Sequence, residues 1–135
     1  MSQSTHSILA SDLGLQEEAY RLFEGACLTD LGPNMKSSDL GIHAAAMGGI
    51  WQGAVFGFGG VRIRGGELHI APKLPNAWEQ MRFLLHWKGN PLWIECTKKS
   101  ARIENAGEET VTIILNGEKR EIPPKGIVDE SLSLS

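Results

Sequence analysis

Residues 41–56 read Gly-Ile-His-Ala-Ala-Ala-Met-Gly-Gly-Ile-Trp-Gln-Gly-Ala-Val-Phe and contain no Asp, Glu, Lys or Arg. Their small and apolar residues predict a helix over about 41–56, capped by Ser38 or Asp39. A helix apolar nearly all round must be buried on most of its faces. Gly48, Gly49 and Gly53 each cost roughly 1 kcal/mol against Ala inside a helix unless something approaches closely. The segment therefore demands tight packing, or a ligand, against most of its surface.

The rest of the chain offers one helical region to cover it. Between His6 and Leu28 the apolar residues Ile8, Leu9, Leu13, Leu15, Ala19, Leu22, Phe23 and Ala26 recur at helical spacing, which predicts one amphipathic helix or two short ones. A break after Ser11 with Asp12 restarting the chain fits the acids that follow, and Glu17 with Arg21 makes an i,i+4 pair. Gly32-Pro33-Asn34 marks residues 29–36 as a loop.

Near residues 57–60 the period changes from helical to two. Val61 to Ile70, with Gly65-Gly66 at its centre, predicts a hairpin. Further strands are expected at 81–87, 92–97, 101–104, 110–115 and 118–122, the last two joined by Asn116-Gly117, the strongest short hairpin signal. Seven short antiparallel strands predict a two-layer sandwich. The fold class expected is α+β: residues 1–58 helical, 59–128 an antiparallel β-sandwich, and 129–135 a disordered tail.

With 135 residues, 41% of them hydrophobic and 21% charged, there is material for a packed core, and wholesale disorder is excluded. Thirteen basic against sixteen acidic residues leave a net charge of −3 with no basic stripe, so a nucleic-acid partner is not expected. The N-terminus lacks the basic and apolar regions of a secretory signal, and no long apolar run predicts a membrane span. A cytoplasmic location is the expectation. Cys27 and Cys96 have no CxxC spacing, which provides neither a zinc site nor a disulfide framework; buried free thiols are expected.

Two helices cannot close a helical domain around a nearly uncharged helix. The partition points to the end of a larger helical domain followed by a sandwich. The residues that carry this pattern also carry a resemblance. Asp39-Leu-Gly-Ile-His-Ala-Ala-Ala-Met-Gly-Gly-Ile-Trp-Gln52, Gly57-Phe-Gly-Gly60, Pro72-Lys-Leu-Pro75 before Trp78, and His6-Ser-Ile-Leu-Ala10 together resemble the C-terminal region of glycoside hydrolase family 65. That family contains the maltose, trehalose and kojibiose phosphorylases. The resemblance implies the last two helices of an (α/α)6 barrel followed by a jelly-roll-like β-domain. It further implies an inverting phosphorolysis of an α-glucobiose, in which one Glu acts as general acid and inorganic phosphate is co-substrate and nucleophile, without a cofactor. In the family that Glu lies upstream of the residues that match here, so the chain alone is expected to be inactive and to self-associate or dock onto the missing helical domain. No metal is expected.

The resemblance makes His6, with Ser4 beside it, the phosphate-binding candidates; a helix start with unpaired N–H groups suits an anion. His43 and Ser38 are candidates to line the active site from the first turn of the apolar helix. Gly57-Phe-Gly-Gly60 is no dinucleotide loop, because Arg62 stands where the third glycine belongs and a helix precedes it. Trp51, Trp78, Trp87 and Trp93 leave open a free-standing carbohydrate-binding module, or a purely structural or interaction piece.

Overall fold

A computed structural model describes residues 2–28 and 44–132. They divide into two units, 1–58 and 59–135. The helical unit holds α1 (Ser2–Asp12), α2 (Gln16–Cys27) and α3 (Ala44–Gln52), which runs directly into a π-helical turn, Gly53–Phe58. The expected start of the apolar helix at 41–43, its caps Ser38 and Asp39, and the 29–36 loop lie outside the described residues.

Gly14, not Asp12, separates the first two helices. Its φ of 77° is the left-handed conformation that glycine enters without a Cβ penalty. Around it Gly14 N–H donates to Ser11 O at 3.0 Å and Leu15 N–H to Ala10 O at 2.9 Å, the paired bonds of a Schellman ending. Asp12 thus closes α1 instead of opening α2, which begins after Leu15 with no side-chain cap. The ion pair on α2 also differs from the expected Glu17–Arg21. Arg21 donates to Glu18 one turn back, Nε to Oε2 at 2.9 Å and Nη2 to Oε1 at 2.5 Å, a bidentate contact that holds the exposed Glu18 carboxyl below its ordinary range.

The helices pack through small residues and one aromatic cluster. Ala19, Phe23 and Ala26 form the buried face of α2. Phe58, fully buried, meets Phe23 edge-on at 5.5 Å between ring centres and Tyr20 at 6.4 Å, a geometry that adds to simple area burial. On α1 the buried face is Ser4, Ser7, Ala10 and Ser11. The Ser7 hydroxyl donates to Ala19 O at 2.7 Å and the Ser11 hydroxyl to Gly57 O at 3.0 Å, the second satisfying a carbonyl at the end of the π-helical turn.

The second unit is a sandwich of two four-stranded sheets. One has the order β1-β2-β6-β7, from Val61–Arg64, Glu67–Ile70, Val111–Leu115 and Glu118–Ile122; the other β3-β4-β5-β8, from Gln80–Trp87, Asn90–Thr97, Ser100–Asn105 and Ile127–Ser131. All pairs are antiparallel except β2 with β6. Gly65-Gly66, Lys88-Gly89 and Asn116-Gly117 all have positive φ at both positions, the requirement of the two-residue turn whose twist matches paired strands. Alternation places Leu68, Ile70, Ile94, Ile103, Ile113, Leu115 and Ile122 in the core.

The eighth strand corrects the expected fraying tail. Residues 129–131 belong to β8, paired with β5 from Ser100↔Ser131 to Glu104↔Ile127. The open edge of β5 supplies the partner that the acidic sequence of this segment does not advertise. Residues 133–135 lie outside the described residues.

Candidate functional site

The α1–α3 contact is the part of the helical unit where the candidate residues fall. Ser4 is buried, and a Cβ added at Gly49 would lie 2.5 Å from its Oγ. The glycine is there because two helices approach closely at that point. His6, two positions on, is exposed, on the opposite side of α1 from Ser4, since two residues turn a helix by about 200°. The structure therefore does not bring His6 and Ser4 together: His6 looks outward with Leu9 and Leu13, while Ser4 is a packing residue. What places Ser4 there is the Ser4-Ser7-Ser11 stripe, whose spacing of three and four makes it the buried seam of α1. His43 and Ser38 lie outside the described residues.

Along the apolar helix Gly53 and Val55 are buried, but Met47 is 49% exposed and Trp51 50%, and among the described residues nothing lies within 4 Å of a Cβ added at Gly48. Trp51 stacks edge-on against Phe56 at 5.8 Å. The expected burial on most faces is thus not reached, because among the described residues only α1, α2 and the π-helical turn pack against α3. Among the described residues of this unit Leu9, Leu13, Leu15, Leu28, Met47 and Trp51 stand exposed.

Two tryptophans of the sandwich carry cations near their rings. Trp93 faces outward from β4 and the Arg82 guanidinium lies 4.2 Å over its ring, while Lys88 stands 5.5 Å from Trp87. The outer face of that sheet is a charge ladder, Arg82 opposite Glu95, Glu95 opposite Arg102, Arg102 opposite Asp129. Directly opposed unlike charges stabilise a sheet. Cys27 and Cys96 are free thiols. Burial pushes the Cys96 thiol up to about 11, with the Glu95 charge adding to it, so it is not a nucleophile. Among the described residues no group of three or more His, Cys, Asp or Glu is placed to hold a metal ion.

Comparison with known proteins matches both units in chain order. Residues 1–52 match the Glycosyl hydrolase family 65 central catalytic domain and residues 61–122 the Glycosyl hydrolase family 65, C-terminal domain. The chain belongs to glycosyl hydrolase family 65. It is 45% identical over 95 residues to a kojibiose phosphorylase of Halothermothrix orenii, covering 70% of this chain and 12% of the relative. To a kojibiose phosphorylase of Escherichia coli strain K12 it is 42% identical over 118 residues, covering 87% of this chain and 15% of the relative. The solved structure of a protein described as a kojibiose phosphorylase from the human microbiome superposes with a TM-score of 0.89 at 26% identity, over 98% of this chain and 19% of that one. The chain thus spans between an eighth and a fifth of the family-65 proteins it matches, and what it matches is a helical segment followed by a β-sandwich.

Proposed function

We propose that this chain forms the C-terminal part of an inverting disaccharide phosphorylase acting on an α-glucobiose, in the cytoplasm. The observation that carries the reading is that two family-65 segments, catalytic then C-terminal, follow one another on one stretch of chain, residues 1–52 and 61–122. The exposed apolar residues of the helical unit support it from a different direction. Leu9, Leu13, Met47 and Trp51 would be covered by further helices of a barrel, and burying such side chains contributes roughly 1.5–3 kcal/mol each.

In that assembly the chemistry divides by where the residues sit. The general acid that protonates the glycosidic oxygen is a Glu supplied by the barrel and not by this chain; phosphate attacks the anomeric carbon from the opposite face, inverting it. His6, exposed in the first half of α1, is the residue of this chain assigned to the phosphate. A protonated or N–H-donating imidazole there holds a phosphate oxygen and needs no proton transfer. Ser4, the second phosphate candidate, also seats α1 against α3. The sandwich contributes no reacting group and serves as a rigid support.

The chain by itself should release no sugar phosphate. Incubating it with inorganic phosphate and kojibiose, trehalose or maltose tests this, with glucose 1-phosphate as the readout. Phosphate-dependent release by the purified chain would overturn the assignment of the general acid to a separate segment.

A further inference from the structure

The outer face of the β3-β4-β5-β8 sheet is built in rows that run across its four strands. Register sets Arg82 beside Glu95, Glu95 beside Arg102 and Arg102 beside Asp129, so this row reads plus, minus, plus, minus from one edge to the other. The next row sets Leu84 beside Trp93, Trp93 beside Glu104 and Glu104 beside Ile127. On the far side of the charges Gln80 pairs with Thr97 and Ser100 with Ser131, all neutral and polar. Leu84 and Ile127, at the two ends of the apolar row, are 37% and 48% exposed, and Arg82, Arg102 and Asp129 are exposed with them.

Pairing within one sheet accounts for each contact of the ladder but not for the order of its signs across the face. Turned over about a two-fold axis that runs along the strands between β4 and β5, the charged row meets itself with every sign reversed. β3 then lies over β8 of a second copy, and β4 over its β5. In the same operation the ends of the apolar row exchange, so Leu84 meets Ile127, while the Trp93 indole N–H, a donor only, meets the Glu104 carboxylate. Such reciprocity, in which one residue meets a second and the second meets the first, is what an isologous contact requires. Stacked sheets lie about 10 Å apart, within reach of side chains from both faces. Facing charges of opposite sign fix the register of an interface.

We propose that this face pairs two copies of the chain as a two-fold dimer, with Arg82 against the partner's Asp129 and Glu95 against the partner's Arg102. The contact uses neither His6 nor the apolar helix, and it stands apart from the catalytic reading. One four-stranded face lies at the small end of specific interfaces, so a dissociation constant on the order of 10–100 μM is expected.

Sedimentation of the full chain between about 1 μM and about 1 mM tests this. The expected result is a monomer–dimer equilibrium that persists in Met47→Ser with Trp51→Ser, which removes exposed apolar side chains of the helical unit. Arg82→Glu and Asp129→Lys each set like charges against one another at two symmetry-related contacts and should weaken the dimer about tenfold or more, while Lys119→Glu on the other sheet should not. Mixed in equal amounts, Arg82→Glu and Asp129→Lys chains should pair with each other at close to the parent affinity, a rescue that loss of an ion pair within one chain would not give. A chain still monomeric at about 1 mM, association lost with Met47 and Trp51, indifference to the charge reversals, or no pairing between the two variants would each overturn the proposal.

Discussion

Arg120 and Glu130 sit on the edge strands of opposite sheets, both pointing inward, and their Nη2 and Oε2 atoms approach to 3.7 Å. Arg120 lies opposite Ile113 and Glu130 opposite Ala101, both fully buried. The pair therefore bridges β7 and β8 at the open side of the sandwich. Inward-pointing charge on an edge strand also discourages pairing with another chain.

Arg120→Met should consequently destabilise the sandwich by about 1 kcal/mol, since it leaves Glu130 without its cation in a partly buried place. The double variant Arg120→Met, Glu130→Met should recover most of that loss while increasing self-association. Urea unfolding followed by tryptophan fluorescence, with sedimentation of the folded variants, checks both effects. A single variant as stable as the parent would show that the pair contributes nothing.

Asn105 should tolerate substitution far worse than any surface position. Its side chain is fully buried, its amide donates to Glu109 O at 2.7 Å and Ile122 O at 3.0 Å, and its Oδ1 accepts from Gly107 N at 2.9 Å. Asn105→Asp places a carboxylate against two carbonyl oxygens and should cost about 3 kcal/mol or prevent folding. Thermal unfolding measures it; a loss below about 1 kcal/mol would contradict the bonding described.

The two thiols should separate by reactivity and by pH. Half-buried Cys27 should react with a thiol reagent in the native state, and fully buried Cys96, which donates to Met81 O at 3.7 Å, only on unfolding. The folded chain keeps the Cys96 proton up to about 11, above the unfolded thiol near 8.5. Its stabilisation is therefore complete below that lower value and is lost as pH rises through the window between them. Unfolding midpoints at about pH 8 and about pH 10 should fall more steeply for the parent than for Cys96→Val; parallel slopes would refute the linkage.

Much of the sandwich was legible because its turns are chemical necessities: Gly65-Gly66 and Asn116-Gly117 supply two consecutive left-handed positions that few other dipeptides can. Strand β8 was not legible, since Ile127-Val-Asp-Glu-Ser131 has no strong pattern and gains its partner from β5, far back in the chain. Within the helices, Asp12 looked like a restart because acids follow it, but backbone geometry at Gly14 decided the break. Ser4 and His6 stand two residues apart in the sequence, and helical rotation sends them to opposite sides of α1. The half-exposure of Met47 and Trp51 was missed because apolar composition reports what a helix needs covered and not what is present to cover it.

Replacing the matching segment of the Escherichia coli kojibiose phosphorylase, 42% identical over 118 residues, with this chain tests the proposed role as the C-terminal part of a phosphorylase. The exchange should give an enzyme that releases glucose 1-phosphate from kojibiose, and His6→Ala within it should raise KM for phosphate about tenfold or more with little change in KM for kojibiose. A folded exchange protein without phosphorolysis, or one whose KM for phosphate ignores His6→Ala, would contradict the account.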